Sequence, residues 1–307
     1  MKRHTIDVQC TLSAWLNTHA DANALSDGRV FLEESGKTPR RLGVGQATLG
    51  LRQGQVVRVA SARRHGVGGT LGAAPPLDIL AQDGGLVVLN KPAGVPTIPD
   101  QHGVSQSLLA QLAAHLFMPL ECVHPTSRLD REVSGVVVFA LDTATRLALA
   151  QAREEGSYKR SYVALSSGVL LSGQGLEGAW EARIGRGKTP STRAVDGPGA
   201  THACSHFKHL AAAGVIHAWL LEPQTGRTHQ LRVHAAHAGY PLIGDPHYGG
   251  PQRLLAADGR VRAPGRIMLH AHRIQALGRI WEAPVPPLFS ELWCDSGGGV
   301  FPVSHAA

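Results

Sequence analysis

The chain has 307 residues, of which 43% are hydrophobic and 17% charged, an ordinary globular composition with enough length for one large domain or two smaller ones. Thirty Lys and Arg against 23 Asp and Glu give a formal net charge of +7, which favours a polyanionic partner, nucleic acid first. Cys10, Cys122, Cys204 and Cys294 are far apart and form no C-x-x-C, which argues against a zinc cluster and a disulfide framework; with no signal-peptide core and no run of membrane-spanning length, a reduced, cytoplasmic protein is expected.

Residues 1–60 read as a small separate α+β unit. Leu12, Trp15 and Leu16 mark a short amphipathic helix over Thr11–Ala20, Gly28–Leu32 a strand after a turn, and Leu49–Val59 a turn leading into an alternating strand. A short helix, a Gly-x-Val segment and Leu-x-x-Gly-x-x-Val-x-Val together resemble in part the S4-type RNA-binding fold. Residues 61–76 are Gly/Pro/Ala-rich, basic and aperiodic, and read as a flexible linker. The remainder, 77–307, reads as the main domain.

In that domain Leu86–Leu89 is a buried strand running into the turn Asn90-Lys91-Pro92-Ala93-Gly94. Leu108, Leu109, Leu112 and Leu116 share one face of a helix over Ser105–Phe117. Val136–Ala140 is a continuous apolar, β-branched run that suits a strand covered on both faces, with Ser134-Gly135 read as the turn feeding it. Asp130 therefore sits on a loop before a buried strand, between Arg128 and Arg131. A carboxylate held between guanidiniums stays ionised and can be aimed, as a nucleophile requires, although the same letters describe a surface loop with salt-bridge partners. Asp142 is a fair N-cap for a helix over Thr143–Glu155, and Tyr158–Leu165 reads as a strand. The stretch 168–205 is Gly-rich, polar and unassignable. Val215–Leu221 is a strand, Thr225–Gly239 a turn opening a helix, Tyr240–Gly249 a turn-rich loop and Ile267–Ile274 another strand. No phosphate-binding G-x-x-x-x-G-K-[ST] is present.

Four segments then occur in one order: Leu-Asn-Lys-Pro-Ala-Gly at 89–94, Ser-Arg-Leu-Asp-x-x-x-Ser-Gly at 127–135, Arg160-Ser161-Tyr162, and Thr-Gly-Arg-Thr-His-Gln-Leu-Arg-Val-His continuing to Gly-Asp-Pro-x-Tyr-Gly over 225–249. With Leu269-His270-Ala271 as a weaker fifth, they cover roughly residues 83–295 and resemble the RluA family of RNA pseudouridine synthases. The resemblance implies an α+β fold with a mixed, largely antiparallel central sheet and flanking helices. It implies isomerisation of uridine to pseudouridine in structured rRNA or tRNA, without metal or other cofactor. It makes Asp130 the nucleophile, sets Tyr162 against the base, pairs Arg227 with the Asp130 carboxylate, and gives Arg128 the displacement of the target base from its stack. Lys91, Arg160 and Arg232 are taken as further RNA-facing cations, although Lys91 lies in a Pro-Gly turn that suits a structural duty. Three positions depart from the family pattern: Ser127 for His, Val133 for Thr and Arg160 for Lys.

The chemistry is consistent with those residue types. A C–N glycosidic bond is broken and a C–C bond to the same ring made, so no redox or group-transfer partner is needed. Charge near the sugar C1′ calls for a fixed carboxylate, and a base inside a helix must be flipped before it can react. A non-catalytic RNA-binding protein on the same scaffold and a metal-dependent hydrolase built on the 17 histidines are the competing readings. There is no H-E-x-x-H, and no carboxylate accompanies His234 and His237 at ligand spacing. A monomer is expected, since no heptad or apolar stripe suggests a dimer seam.

Overall fold

The structure, a computed structural model, describes residues 2–7, 9–19, 30–33, 40–42, 48–59, 76–100, 107–169 and 175–303. It divides into two compact units, Met1–Pro76 with Ile98–His115, and Leu77–Thr97 with Leu116–Ala307. The basic linker expected at 61–76 lies outside the described residues except for Pro76. No helix among the described residues is long and apolar enough to cross a membrane.

The first unit contains β1 (Lys2–Thr5), β2 (Cys10–Thr11), α1 (Leu12–His19), β3 (Val30–Glu33), β4 (Arg40–Leu42), β5 (Gly50–Leu51) and β6 (Val56–Val59). An antiparallel sheet runs β1-β6-β3-β4. The expected helix is present because Leu12, Trp15 and Leu16 fall on one face and pack into a core with Ile6, Val30, Leu32, Leu42, Leu51, Val57 and Val59.

The second unit holds β7 (Ile79–Asp83), β8 (Leu86–Lys91), β9 (His124–Pro125), β10 (Ser134–Ala140), α3 (Thr143–Glu154), β11 (Lys159–Ser167), β12 (Glu177–Arg186), β13 (Arg193–Val195), β14 (Thr201–Ala213), β15 (Ile216–Pro223), α4 (Gln230–His237), β16 (Leu254–Leu255), β17 (Val261–Arg262), β18 (Leu269–Ala276), β19 (Arg279–Glu282) and α5 (Pro287–Asp295). Helix α2 (Leu108–His115) belongs to the first unit and buries Leu108, Leu109, Leu112 and Ala113. Eleven strands form one sheet with the path β13-β12-β14-β15-β11-β18-β10-β8-β7. Only the β10–β18 pair is parallel; the other neighbours are antiparallel. The sheet is therefore mixed and largely antiparallel, as the family resemblance implied.

Strand β10 lies inside this sheet with all seven residues buried, which is why its sequence is continuous rather than alternating. One face contributes Val136, Val138 and Ala140 to a cluster with Leu86, Leu149, Tyr158 and Trp281. A second cluster joins Val163, Leu165, Ile216, Ile243 and Met268 to Phe289, Leu292 and Trp293 of α5. Each such side chain contributes about 1.5–3 kcal/mol by leaving water.

Two sequence assignments change. Ser134-Gly135 is not a turn but the first two residues of β10; Gly135 has φ +117°, and a Cβ there would come 2.1 Å from the carbonyl of Ala271 on the parallel neighbour. Glycine is needed for β10 and β18 to approach. The unassigned stretch 168–205 contains β12, β13 and the start of β14, at one edge of the sheet. Most residues of β12 are exposed or half-buried, so no apolar alternation marks it.

Candidate active site

Asp130 lies on the loop between β9 and β10, and this loop is stitched down along its length. Thr126 N–H donates to Val138 O at 2.9 Å, and its hydroxyl lies 2.9 Å from the Tyr158 hydroxyl. Leu129 N–H donates to the buried Thr97 hydroxyl, which donates back to Leu129 O, both at 3.0 Å. Arg131 O accepts from Gly94 N–H at 2.8 Å and from Lys91 Nζ at 3.0 Å. The Lys-Pro-x-Gly turn after β8 is thus the bracket on which the Asp130 loop is mounted.

This corrects the assignment of Lys91 to RNA. Its side chain is fully buried, and Nζ also donates to Pro92 O at 2.9 Å and Val95 O at 2.6 Å. Burial pulls its pKa down to about 7, while three carbonyl acceptors match the three N–H groups of the ammonium form. At neutral pH the ammonium form is still populated, with one carbonyl for each of its N–H groups. Between about 7 and 10.5 the unfolded chain binds more protons than the folded one, so this site favours stability as pH rises through that window and carries its full penalty below it. Lys91→Met is expected to strip Pro92 O and Val95 O of this donor and to destabilise by about 2–4 kcal/mol. The stability gap to wild type should widen between pH 7 and 10, as read by denaturant melts.

Opposite the loop stands α4. Arg232, in its first turn, donates Nη1 to Asp130 Oδ2 at 2.8 Å. The same guanidinium holds the fully buried Asp245 bidentately, Nε to Oδ2 at 2.7 Å and Nη2 to Oδ1 at 2.9 Å. Burial works to lower its pKa, but the hydrogen bonds and charges of Asp245 and Asp130 together outweigh that and raise it, so it is permanently charged. Asp245 is held in turn by His247 N–H at 3.0 Å. The partner of Asp130 is therefore Arg232, not Arg227. The reason is where the helix begins. Gln230 folds back at the expected helix start, its Oε1 accepting from Thr225 Oγ1 at 2.7 Å and Arg227 N–H at 3.0 Å, while its Nε2 donates to Cys204 O at 2.9 Å and Ser205 Oγ at 2.8 Å. Thr225–His229 form a turn, α4 starts at Gln230, and Arg227 ends exposed with Nε on His202 O at 3.0 Å.

His229 sits at this junction with φ +58°. Its Nδ1 is 2.8 Å from the Tyr248 hydroxyl, which accepts the Arg193 backbone N–H at 2.9 Å. The phenol oxygen has room to accept from both, so Arg193 does not set the tautomer; the Asp130 carboxylate facing the other ring nitrogen can only accept, which favours the proton on Nε2 and a phenol proton donated to Nδ1. Nε2 faces Asp130 Oδ2 at 3.7 Å. Desolvation lowers the His229 pKa against the opposing pull of Asp130, so the ring is neutral. Both Arg232 and His229 address Oδ2, and no described residue donates to Oδ1. Tyr248→Phe frees the tautomer. Loss of the bond to Nδ1 is expected to lower kcat about 10-fold with little change in KM, and to move the acid limb of the pH–rate profile upward as His229 becomes easier to protonate.

Tyr162 is buried on β11 opposite Leu221 and Ala271, next to an irregularity in register between Ser161 and Tyr162 that re-aims the chain. Desolvation raises its pKa, so the phenol keeps its proton, and its hydroxyl makes no hydrogen bond with a described residue. Arg160 Nη2 donates to Pro223 O at 3.1 Å and Thr225 O at 2.9 Å, which anchors the turn before α4. Arg128 is exposed beside Asp130 and makes no hydrogen bond or ion pair with any described residue. Of the histidines offered to the metal reading, His234 Nδ1 lies 2.9 Å from Ser205 Oγ, and His270 lies 2.8 Å from Ser134 Oγ and 3.3 Å from Ala283 O. Among the described residues no group of three or more His, Cys, Asp or Glu side chains is placed to hold a metal ion. The residues that sequence reasoning missed are Thr97, His229, Asp245 and Tyr248. The last three lay inside recognised motifs and carried no individual signal.

The half-buried Asp130, the buried Arg232 and the buried Asp245 thus form a carboxylate–guanidinium–carboxylate chain, with the buried Tyr162 on β11, a fixed-carboxylate site suited to an enzyme. The RNA pseudouridylate synthase profile matches residues 85–237. The protein named Uncharacterized RNA pseudouridine synthase YhcT of Bacillus subtilis (strain 168) is 37% identical over 220 residues, spanning 68% of this chain and 69% of its own. Ribosomal large subunit pseudouridine synthase D of Escherichia coli (strain K12) is 30% identical over 231 residues, 71% of this chain and 69% of that protein. Among solved structures, Human RNA Pseudouridylate Synthase Domain Containing 1 superposes with a TM-score of 0.54 at 27% identity, covering 71% of this chain and 86% of the other. The chain belongs to the RNA pseudouridine synthase family and is an isomerase that makes pseudouridine in RNA.

Proposed function

We propose that this enzyme modifies specific uridines of ribosomal RNA with Asp130 as the nucleophile. The observation that carries the reading is the fixed Asp130 carboxylate, with Arg232 donating to Oδ2, His229 Nε2 3.7 Å from the same oxygen, and no described residue donating to Oδ1. In this reading Oδ1 attacks C1′, the C1′–N1 electron pair leaves with uracil, and a glycosyl ester forms. The detached ring turns, C5 attacks C1′ and expels the carboxylate, and the C5 proton is lost while N1 gains one. Atoms and charge balance without a cofactor. Tyr162, protonated and buried, supports the ring, and Arg128, exposed and with no hydrogen-bond or ion-pair partner among the described residues, fills the gap left by the flipped base.

Similarity to proteins named for the large ribosomal subunit favours rRNA over tRNA as the target. The small N-terminal unit, read as S4-like, then serves as a second RNA contact. The test maps pseudouridine in total RNA from cells lacking the protein, complemented with wild type or with Asp130→Asn. Sites in large-subunit rRNA that return with wild type alone support the reading; sites in tRNA move the substrate, and no changed site sinks the enzymatic assignment.

A further inference from the structure

Arg227, released from the role at Asp130, lines a cavity of ≈ 420 Å³ together with Arg186, Arg193, Thr228, Pro198 and Gly199. The three arginines come from the end of β12, the start of β13 and the turn before α4. None has a carboxylate within ion-pair distance among the described residues. Arg227 spends only Nε on His202 O, and Arg193 spends Nη1 on Pro190 O and Thr192 O, while the Arg186 side chain makes no hydrogen bond with a described residue. Several guanidinium N–H groups are therefore unspent around one hollow.

The wall of this hollow is backbone packed on backbone. A Cβ on Gly185 would stand 2.2 Å from Gly197 O, one on Gly197 would stand 2.1 Å from Arg186 O, and Arg186 N–H donates to Pro198 O at 3.0 Å. That packing fixes where Arg186 leaves the sheet. Three like charges around a fixed hollow repel unless an anion joins them, and a phosphate oxygen pair matches the guanidinium fork. The cavity also adjoins the chemistry: the backbone N–H of Arg193 holds the Tyr248 hydroxyl, which holds His229, which faces Asp130.

We infer that this cavity seats a backbone phosphodiester of the substrate RNA strand flanking the target uridine. The inference rests on the RNA-modifying function above, and free inorganic phosphate is the alternative source of the same chemistry. The test measures RNA binding in the non-turning Asp130→Asn background, comparing Arg186→Gln, Arg186→Gln/Arg227→Gln and, as a charge control, the exposed Arg260→Gln. Arg186→Gln disturbs no side-chain hydrogen bond, so it reads the cavity even where the double variant folds poorly. The double variant should bind about 10-fold to 100-fold more weakly, and the slope of log affinity against log salt should flatten by about 1–2. Arg260→Gln should change neither.

Neutral methylphosphonate linkages are then walked through the RNA one at a time. One position should weaken binding to the parent and have no effect on the double variant. An unchanged salt slope, or no position whose effect depends on the arginines, overturns the assignment. Inorganic phosphate that binds the parent but not the double variant, with RNA affinity equal in both, gives the cavity to a free anion instead. If wild type forms no pseudouridine while these binding differences hold, the catalytic reading falls and the cavity stands; intact modification without them has the opposite meaning.

Discussion

Asp130→Asn is expected to give a folded protein that binds RNA at near wild-type affinity and turns over at least about 10⁴-fold more slowly, as removing a nucleophile does elsewhere. The shape of the side chain is kept, and the loop is held through groups the substitution leaves alone: Thr126 N–H, the Thr97–Leu129 pair, and Arg131 O on Gly94 and Lys91. Arg232 loses one partner but retains Asp245 on two hydrogen bonds, so no buried cation is stranded. The expected stability change is therefore about 1–2 kcal/mol, well short of what a broken buried pair costs. Single-turnover assays on an RNA carrying the mapped site, beside equilibrium binding and thermal melts, separate the three quantities. Turnover within 10-fold of wild type would remove Asp130 from the chemistry. Lost turnover with equally lost binding would make it a recognition residue.

What the sequence made legible here is what depends on local pattern. The apolar run Val136–Ala140 is the interior strand β10, and Leu12, Trp15 and Leu16 do form the buried face of α1. What it concealed depends on tertiary placement. Arg227 and Arg232 are both cations of one motif, five residues apart. Only the way Gln230 folds back on Thr225 and Arg227 delays the helix enough to bring the second, rather than the first, to a carboxylate 102 positions away. For Lys91 the Pro-Gly turn hints at a structural duty, but nothing in its letter records that three carbonyls close around it and take it from RNA. The edge strands β12 and β13 escaped because an exposed edge imposes no apolar period. Asp245, buried at 0% exposure in a loop of Gly, Pro and Tyr, is the clearest instance. A lone carboxylate among turn residues ordinarily signals a solvated loop.

Asp245 also gives the second large effect. Asp245→Asn keeps the volume and removes the charge that holds Arg232 in place, leaving a guanidinium at 2% exposure with Asp130 as its remaining counter-ion. Breaking a buried pair from one side costs about 3–5 kcal/mol, because the surviving charge is desolvated without its partner. Activity is expected to fall about 100-fold as well, since an Arg232 free to turn onto Asp130 alone can cover the oxygen that now stands open. The two effects come apart in a second variant. Arg232→Met/Asp245→Leu replaces the pair by apolar side chains of similar size and removes the stranded charge. Its melting temperature should recover most of the loss while its turnover stays low, because Asp130 then has no guanidinium to hold Oδ2. If stability and turnover recover together, the pair is packing and nothing more. If stability recovers alone, the charge of Arg232 acts on Asp130 directly, and the buried Asp245 exists to aim it.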